Sequence, residues 1–222
     1  MISDTESKEY LYGPKTSTKE IYKLNNLKDI NLKFDNLKTL VITSVDESDV
    51  TLKVYTDLNE DIEKLVNIRA DSTHDLDISV RHKRGKKSLE SHIHISLNIP
   101  QNLWGEIEIE GNVEMLTIYH SMQSHTEFSG EVNKIMLYDL KGKMEIDTNS
   151  HFDMIYDGSL DQLDINQRNS SSNVMLAKGA DTYIYSASKT CDVVLIGCVN
   201  NPDSLHLIEL NGKSSHLIAR NE

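Results

Sequence analysis

The sequence has few of the features that build disulfide frameworks, membrane spans or nucleic-acid binding surfaces. Cys191 and Cys198 are its 2 cysteines, and in an extended segment they would lie roughly 23 Å apart, too far for a disulfide. The formal net charge of −12 gives no basic footprint for phosphates, so we expect no nucleic-acid partner. No run of the chain reaches the ~20 apolar residues that a membrane span requires.

The N-terminus is polar and contains no apolar signal-peptide core. We predict a flexible segment over residues 1–19 and a single domain over residues 20–222. If an export signal or an anchor precedes this sequence in the natural protein, we expect an extracytoplasmic or envelope-associated location. Otherwise we expect a cytoplasmic one.

Apolar and polar residues alternate at period two along most of the chain, which predicts strands rather than helices. Only the stretch from Leu58 to Val66 fits a short helix. A hydrophobic content of 38% is enough to bury a core. Together with the alternation, it predicts an all-β domain. Its less regular first part, about residues 20–100, has predicted strands near 21–24, 28–34, 38–44, 50–56, 64–70, 75–82 and 91–99.

From Trp104 onward, apolar anchors recur every 9 to 11 residues. Taking every second anchor gives two series with steps of 18 to 20 residues. A fixed period near 20 with two strands per unit is typical of stacked solenoids. We therefore predict a β-solenoid with about 19 residues per two-strand rung, regular over residues 101–222. The two series are Ile107, Thr126, Met144, Leu163 and Tyr183, and Leu116, Ile135, Met154, Val174 and Val193.

The segment SLNIPQNLWGEIEIEGNVEMLTIY, followed by FSGEVNKIMLYDLKGKMEIDT, resembles the bacterial putative-adhesin β-solenoid domain family. Members have an alternating strand that ends in Leu-x-Ile/Val-Pro, then short strands broken by Gly or Ser-Gly turns. Ser-Gly turns are few in this chain, and Ser129-Gly130 is the one that matches well. The resemblance covers about residues 20–220. It implies a right-handed β-solenoid, often attached to a bacterial envelope, with no established catalytic residues to transfer.

A 19-residue step would place four carboxylates in one outward column, about 4.8 Å apart on neighbouring strands. One interpretation is a solvated face with lysines nearby, and another is a surface that binds a cation or a basic ligand. Paired carboxylates near 5 Å also occur in retaining glycosidases, but a regular column without a distinct cleft is poor support for acid–base asymmetry. We predict that the chain is not an enzyme. The four residues are Glu108, Glu127, Glu145 and Asp164.

The second strand of each unit is apolar at its outward positions as well as its inward ones. Such strands are normally covered on both faces, and monomers rarely leave a large apolar patch in water. Cover from an earlier part of the chain is one explanation. Self-association or a partner surface is the other. The outward residues are Met136, Ile155, Met175, Val194, Ile196 and Ile218.

One basic cluster and one histidine pair complete the candidates. The cluster, at the tip of an expected hairpin, is either a solvated turn or a contact for anionic wall polymer or lipid headgroups. His92 and His94 share one strand face, but a metal site needs further ligands, and Ser96 and Asn98 are poor zinc ligands. We predict no metal and no cofactor. The basic cluster comprises Arg81, Lys83, Arg84, Lys86 and Lys87.

Three functions compete on these observations. The favoured one is a noncatalytic, adhesin-like interaction module, bacterial and envelope-associated, whose partner is a protein or a cell-surface polymer. The second is a cytoplasmic structural or regulatory scaffold. The third is a carbohydrate-active β-helix enzyme, which would need acids from different sheet positions and a long loop that shapes a cleft.

Overall fold

The computed structural model describes residues 16–23, 28–71, 75–84, 92–101, 103, 105–121, 123–198 and 200–221. These residues form one short helix, α1 (Ile62–Leu65), and strands that confirm the all-β class. The strands before residue 101 are β1 (Thr16–Lys23), β2 (Ile30–Val45), β3 (Asp49–Thr56), β4 (Val66–Asp71), β5 (Leu76–His82) and β6 (Ile93–Pro100). The later strands are β7 (Glu106–Tyr119), β8 (His125–Ser129), β9 (Val132–Tyr138), β10 (Lys143–Thr148), β11 (Phe152–Tyr156), β12 (Gln162–Arg168), β13 (Ser171–Leu176), β14 (Tyr183–Ser186), β15 (Asp192–Ile196), β16 (Leu207–Lys213) and β17 (His216–Asn221).

Most strands lie where alternation predicts them, and two long strands each replace a predicted pair. The strands predicted near 28–34 and 38–44 are one continuous strand, β2, with a register irregularity between Lys33 and Asn36. Those predicted to begin at Ile107 and Leu116 are likewise joined in β7. The chain stays extended through both junctions, so β2 and β7 each take part in two series of strand pairs.

Backbone pairing arranges the strands in two ladders that share β2 and β7. The first ladder uses the N-terminal halves of those two strands and runs β4, β5, β2, β7, β8, β10, β12, β16 and β14. The second uses their C-terminal halves and runs β1, β3, β6, β2, β7, β9, β11, β13, β17 and β15. Because β2 and β7 belong to both ladders, all 17 described strands form one sheet.

The predicted fold class, a right-handed β-solenoid of short two-strand rungs, is wrong. The strands form one continuous, nearly closed sheet around a common core. Strands β2 and β7, of 16 and 14 residues, are too long to be single rung strands. Strands β1, β3 and β4 pair antiparallel with their neighbours. Late in the chain, β16 lies between β12 and β14, and β17 lies between β13 and β15, so the strands do not stack in sequence order.

The core lies between the two ladders and is built by the predicted alternation. Inward side chains of the first ladder, such as Ile107 and Leu163, are fully buried, as are Leu116 and Ile135 of the second. Burying each such side chain contributes about 1.5–3 kcal/mol to folding. One cluster of buried residues extends from Ile30 to Ala219, so the less regular first part and the regular second part share a core. The outward side chains are therefore held in the register that the strand pairs and the shared core set.

Two glycines allow neighbouring strands to bend from the first ladder into the second at the same place. Gly111 and Gly130 have φ angles of 148° and 153°, which residues with a side chain rarely adopt. A Cβ on Gly130 would lie 1.9 Å from the carbonyl oxygen of Gly111. Only glycine permits this approach, so the bend depends on both residues.

The predicted flexible segment, residues 1–19, overlaps the described part of the chain at its end. Residues 16–19 belong to β1, which pairs with β3. Residues 1–15 lie outside the described part. In the segments that the structure describes, no helix has the length and apolar character needed to cross a membrane.

Candidate binding surfaces

The four predicted carboxylates lie side by side on the outer face of the first ladder. Glu108 pairs in register with Glu127, Glu127 with Glu145, and Glu145 with Asp164. A fifth carboxylate, Glu209 on β16, follows Asp164. The 19-residue period could not predict Glu209, because β16 reaches this position only by returning between β12 and β14. We call these five residues the acidic column.

At Glu145 and Asp164, the third and fourth members of the acidic column, a lysine partly neutralises the negative charge and a glutamine donates a hydrogen bond. Lys143 Nζ lies 2.7 Å from Asp164 Oδ2 and 3.4 Å from Glu145 Oε2. Gln162 donates a hydrogen bond of 2.8 Å to Asp164, whose exposed fraction is only 6%. The hydrogen bond to Asp164 raises the pKa of Lys143 above its ordinary value. The ammonium group is therefore held in its charged form between two carboxylates.

At Glu127, the second of the five carboxylates, the negative charge is less well compensated. Burial, followed by the charges of Glu145, Asp147 and Glu108, raises the pKa of Glu127 above its ordinary value. Among the described residues, no ion pair or side-chain hydrogen bond stabilises the Glu127 carboxylate. Like charges directly opposed across strands are destabilising. A cationic group that bound here would relieve that repulsion.

The outer face of the second ladder has a different chemistry. Met136, Ile155 and Met175 lie in register on consecutive strands β9, β11 and β13, and each is half-buried. We call these three residues the apolar column. Beside it, two residues further along the strands, the rings of Tyr119 and Tyr138 stack with centroids 5.3 Å apart. The sequence reasoning did not identify this tyrosine pair.

The remaining three predicted apolar residues lie apart from the apolar column. Arg220 is in register between Met175 and Ile196 and so interrupts that row. Val194 and Ile218 pair with each other in the neighbouring row. Val194 and Ile196 are 48% and 56% exposed, since β15 is the last strand of the second ladder. The six predicted residues thus occupy two rows rather than one.

The basic cluster is only partly described, and one of its residues has a structural role. Arg81 donates hydrogen bonds to the Asp35 carboxylate at 2.8 Å and to the Phe34 carbonyl oxygen at 3.2 Å. Burial alone would raise the pKa of Asp35, but these contacts with Arg81 and the amide of His82 hold it below its ordinary value. Two cluster residues, Lys83 and Arg84, follow the end of β5, and two, Lys86 and Lys87, lie outside the described residues.

The histidine pair is organised around Asp57. His92 Nδ1 lies 2.6 Å from Asp57 Oδ1, and His94 Nδ1 lies 3.0 Å from the Thr39 hydroxyl. His94 is only 5% exposed, and burial lowers its pKa below the ordinary histidine value. In the described part of the chain, no group of three or more His, Cys, Asp or Glu side chains is arranged to hold a metal ion.

Comparison with known proteins finds similarity among solved structures. No family model and no curated protein matches the chain. A putative cell adhesion protein from Clostridium sporogenes ATCC 15579 is 15% identical, with a TM-score of 0.47 over 93% of this chain and 99% of that one. A putative adhesin from Bacteroides fragilis NCTC 9343 is 14% identical, with a TM-score of 0.41 over 93% and 97% of the two chains. A putative adhesin from Parabacteroides merdae ATCC 43184 is 10% identical, with a TM-score of 0.34 over 92% and 96%.

Proposed function

We propose that the chain is a noncatalytic, adhesin-like interaction module of a bacterial envelope, and that it binds its partner through the outer face of the first ladder. The observation that carries this proposal is the acidic column. Its five carboxylates lie on consecutive strands, and the parallel register fixes their order.

The partner that fits this surface carries repeated positive charge, as a basic polypeptide segment does. Neighbouring strands are about 4.8 Å apart, so the column presents carboxylates at short, regular intervals. Ammonium or guanidinium groups placed along it would replace carboxylate repulsion with attraction, most of all near Glu127. Attraction of this kind speeds association and weakens as salt is added.

The placement of the carboxylates supports the noncatalytic part of the proposal. Glycoside hydrolysis uses two carboxyl groups that flank the scissile bond from opposite sides. The members of the acidic column instead stand next to one another on one face of a sheet. This arrangement suits the binding of an extended chain better than attack on a bond.

The binding proposal is tested with a synthetic lysine-rich peptide and a pair of charge-neutralising variants. We expect Glu127→Gln with Glu145→Gln to weaken binding roughly tenfold, which corresponds to about 1.4 kcal/mol. Asp153→Asn, which removes one exposed carboxylate from the second ladder, is the control on the other face and should leave affinity unchanged. Calorimetry at two salt concentrations measures both effects. Equal affinities for the three proteins would contradict the proposal.

Two further measurements test the rest of the proposal. Incubation with wall polysaccharides should produce no new reducing ends, and products that disappear in Glu127→Gln would establish catalysis instead. Fractionation of the source cells should recover the protein with the envelope. Recovery in the cytoplasmic fraction would support the scaffold alternative.

A further inference from the structure

A concavity of about 350 Å³ lies at one end of the outer face of the first ladder. It forms where the antiparallel pair β4 and β5 extends the parallel pairing of β5 with β2. Its volume is at the lower end of the range for small-molecule sites and suits one or two sugar rings. The polar residues that line it are Asn31, Lys33, Arg69, Asp71, Asp77 and Ser79.

These six residues form two rows of different charge. Arg69, Ser79 and Lys33 are in register across β4, β5 and β2, and we call them the cationic row. The second row, the carboxylate row, consists of Asp71, Asp77 and Asn31 in register across the same strands. Residues two apart along a strand share a face and are separated by about 7 Å. The concavity therefore has a positive side and a negative side about one sugar ring apart.

Hydrogen bonds within the concavity leave several polar groups available to a ligand. Asn31 Nδ2 donates a hydrogen bond of 2.7 Å to Asp77 Oδ1, which fixes both side chains. Asn31 Oδ1 and Asp77 Oδ2 keep their acceptor capacity. Lys33 forms an ion pair of 2.7 Å with Glu110, a residue outside the concavity. Acceptors on the negative side thus suit hydroxyl donors.

Arg69 differs from Lys33, the other cation among the lining residues. It is exposed, and among the described residues no carboxylate forms an ion pair with it, although the chain carries a net charge of −12. A guanidinium group presents a planar set of donors that matches a carboxylate in two parallel hydrogen bonds. Beside it in the cationic row, the Ser79 hydroxyl supplies a further donor.

We propose that this concavity binds a sugar that carries a carboxylate, such as a uronic acid. The carboxylate of the sugar pairs with Arg69, and its ring hydroxyls donate hydrogen bonds to Asp77 and to the Asn31 carbonyl oxygen. The neighbouring acidic column, which begins at Glu108 in register with Asn31, repels a polyanion. The site therefore takes a terminal acidic sugar rather than the interior of an acidic polymer. This inference goes beyond the proposed binding of basic partners and does not rest on it.

Titration with methyl β-D-glucuronide, observed by amide NMR, tests this site. We expect binding with shifts confined to β2, β4 and β5, and at least about tenfold weaker binding in Arg69→Gln. Arg168→Gln removes an exposed arginine from another part of the first ladder and should bind as the wild type does. Absence of binding, or equal affinity of the wild type and Arg69→Gln, would overturn the proposal.

Two other ligands and one further variant separate the sugar from a simple carboxylate. Methyl β-D-glucoside lacks the carboxylate and should bind at least about tenfold more weakly than the glucuronide. Acetate should also bind more weakly, because it cannot use the carboxylate row. Asp77→Asn should weaken glucuronide binding, which uses the Asp77 carboxylate, but should not weaken that of acetate. Equal binding of the glucuronide to either comparison ligand would overturn the assignment to an acidic sugar. Thermal unfolding of each variant verifies that it is folded.

Discussion

The two outer faces of the sheet share one core and one strand register but differ in chemistry. On the first ladder, the outward residues of β8, β10 and β12 include Glu127, Glu145 and Asp164. On the second, the outward residues of β9, β11 and β13 include Met136, Ile155 and Met175. The inward positions of both are buried and mostly apolar, with Thr126, Thr148, Gln167 and Ser172 as buried polar exceptions. The comparison indicates that one strand register, set by a shared core, can carry two outer faces of different chemistry.

The same comparison separates the kinds of partner that each face would accept. The acidic column favours cationic groups, and its attraction weakens with salt. The apolar column and the tyrosine pair offer area to another apolar surface, whose binding depends little on salt. Experiments that disturb one face and leave the other unchanged therefore test both assignments.

The largest effect is expected from a change at the bend that places the two faces on opposite sides of the core. Gly130→Ala should lower the free energy of unfolding by about 3 kcal/mol or more, because of backbone strain and the clash with the Gly111 carbonyl. Gly179→Ala is the matched control. Gly179 also has a positive φ, but an added Cβ would meet no atom within 4 Å. Denaturant unfolding measures both, and equal losses would contradict this account of the bend.

Removal of the lysine that partly neutralises the acidic column should have the next largest effect. Lys143→Met leaves the nearly buried Asp164 without its cation and should cost about 2 kcal/mol of stability. Lys33→Met removes an exposed, solvent-screened ion pair with Glu110 and should cost less stability than Lys143→Met. Denaturant unfolding of both variants would show whether burial of the partner decides the cost. A smaller loss for Lys143→Met than for Lys33→Met would refute this interpretation.

Two charges placed on the apolar column should change the oligomeric state if this face mediates self-association. We expect Met136→Glu with Met175→Glu to reduce the molar mass of the wild-type assembly, since carboxylates would have to be buried at the contact. Light scattering measures the mass, and circular dichroism verifies the fold. The variant Glu127→Gln with Glu145→Gln is the control on the other face. A folded Met136/Met175 variant of unchanged mass would end the self-association hypothesis.

The smallest effect concerns the pH dependence of stability. Folding raises the pKa of Glu127, so the folded protein favours the protonated form of this side chain over the ionised form. The ionised carboxylate therefore destabilises the fold at neutral pH. Glu127→Gln should therefore raise the free energy of unfolding at pH 7 by roughly 0.2–1 kcal/mol. This gain should disappear as the pH falls below the ordinary value of 4.5. A gain that persisted or increased in acid would have the wrong sign.

Sequence reasoning predicted the strands and the inward positions better than it predicted how the strands join. Alternation is a local property, and it located the strands around Thr126, Met144 and Leu163 close to where they lie. The same alternation set the register of Glu108 with Glu127 and Glu145. The joining of strands in β2 and β7 was missed, because a chain that remains extended through a bend gives no break in the pattern.

The errors in the last strands and at His94 have a related cause, which is contact between residues distant in sequence. The return of β16 and β17 to interior positions depends on long-range pairing, which a fixed period does not encode. For that reason Glu209 was missed and Arg220 was not expected to interrupt the apolar residues. The burial of His94 was missed too, because it depends on neighbours from other strands, including Thr39.

The central claim, that the acidic column is a binding surface for basic partners, is tested most directly by amide NMR during titration with the lysine-rich peptide. The account predicts that the amide signals of Glu108, Glu127 and Glu145, together with those of their neighbours on β7, β8 and β10, shift with peptide concentration. The signals of the apolar column should not move. Shifts confined to the apolar column, or no shifts at low salt, would contradict the claim.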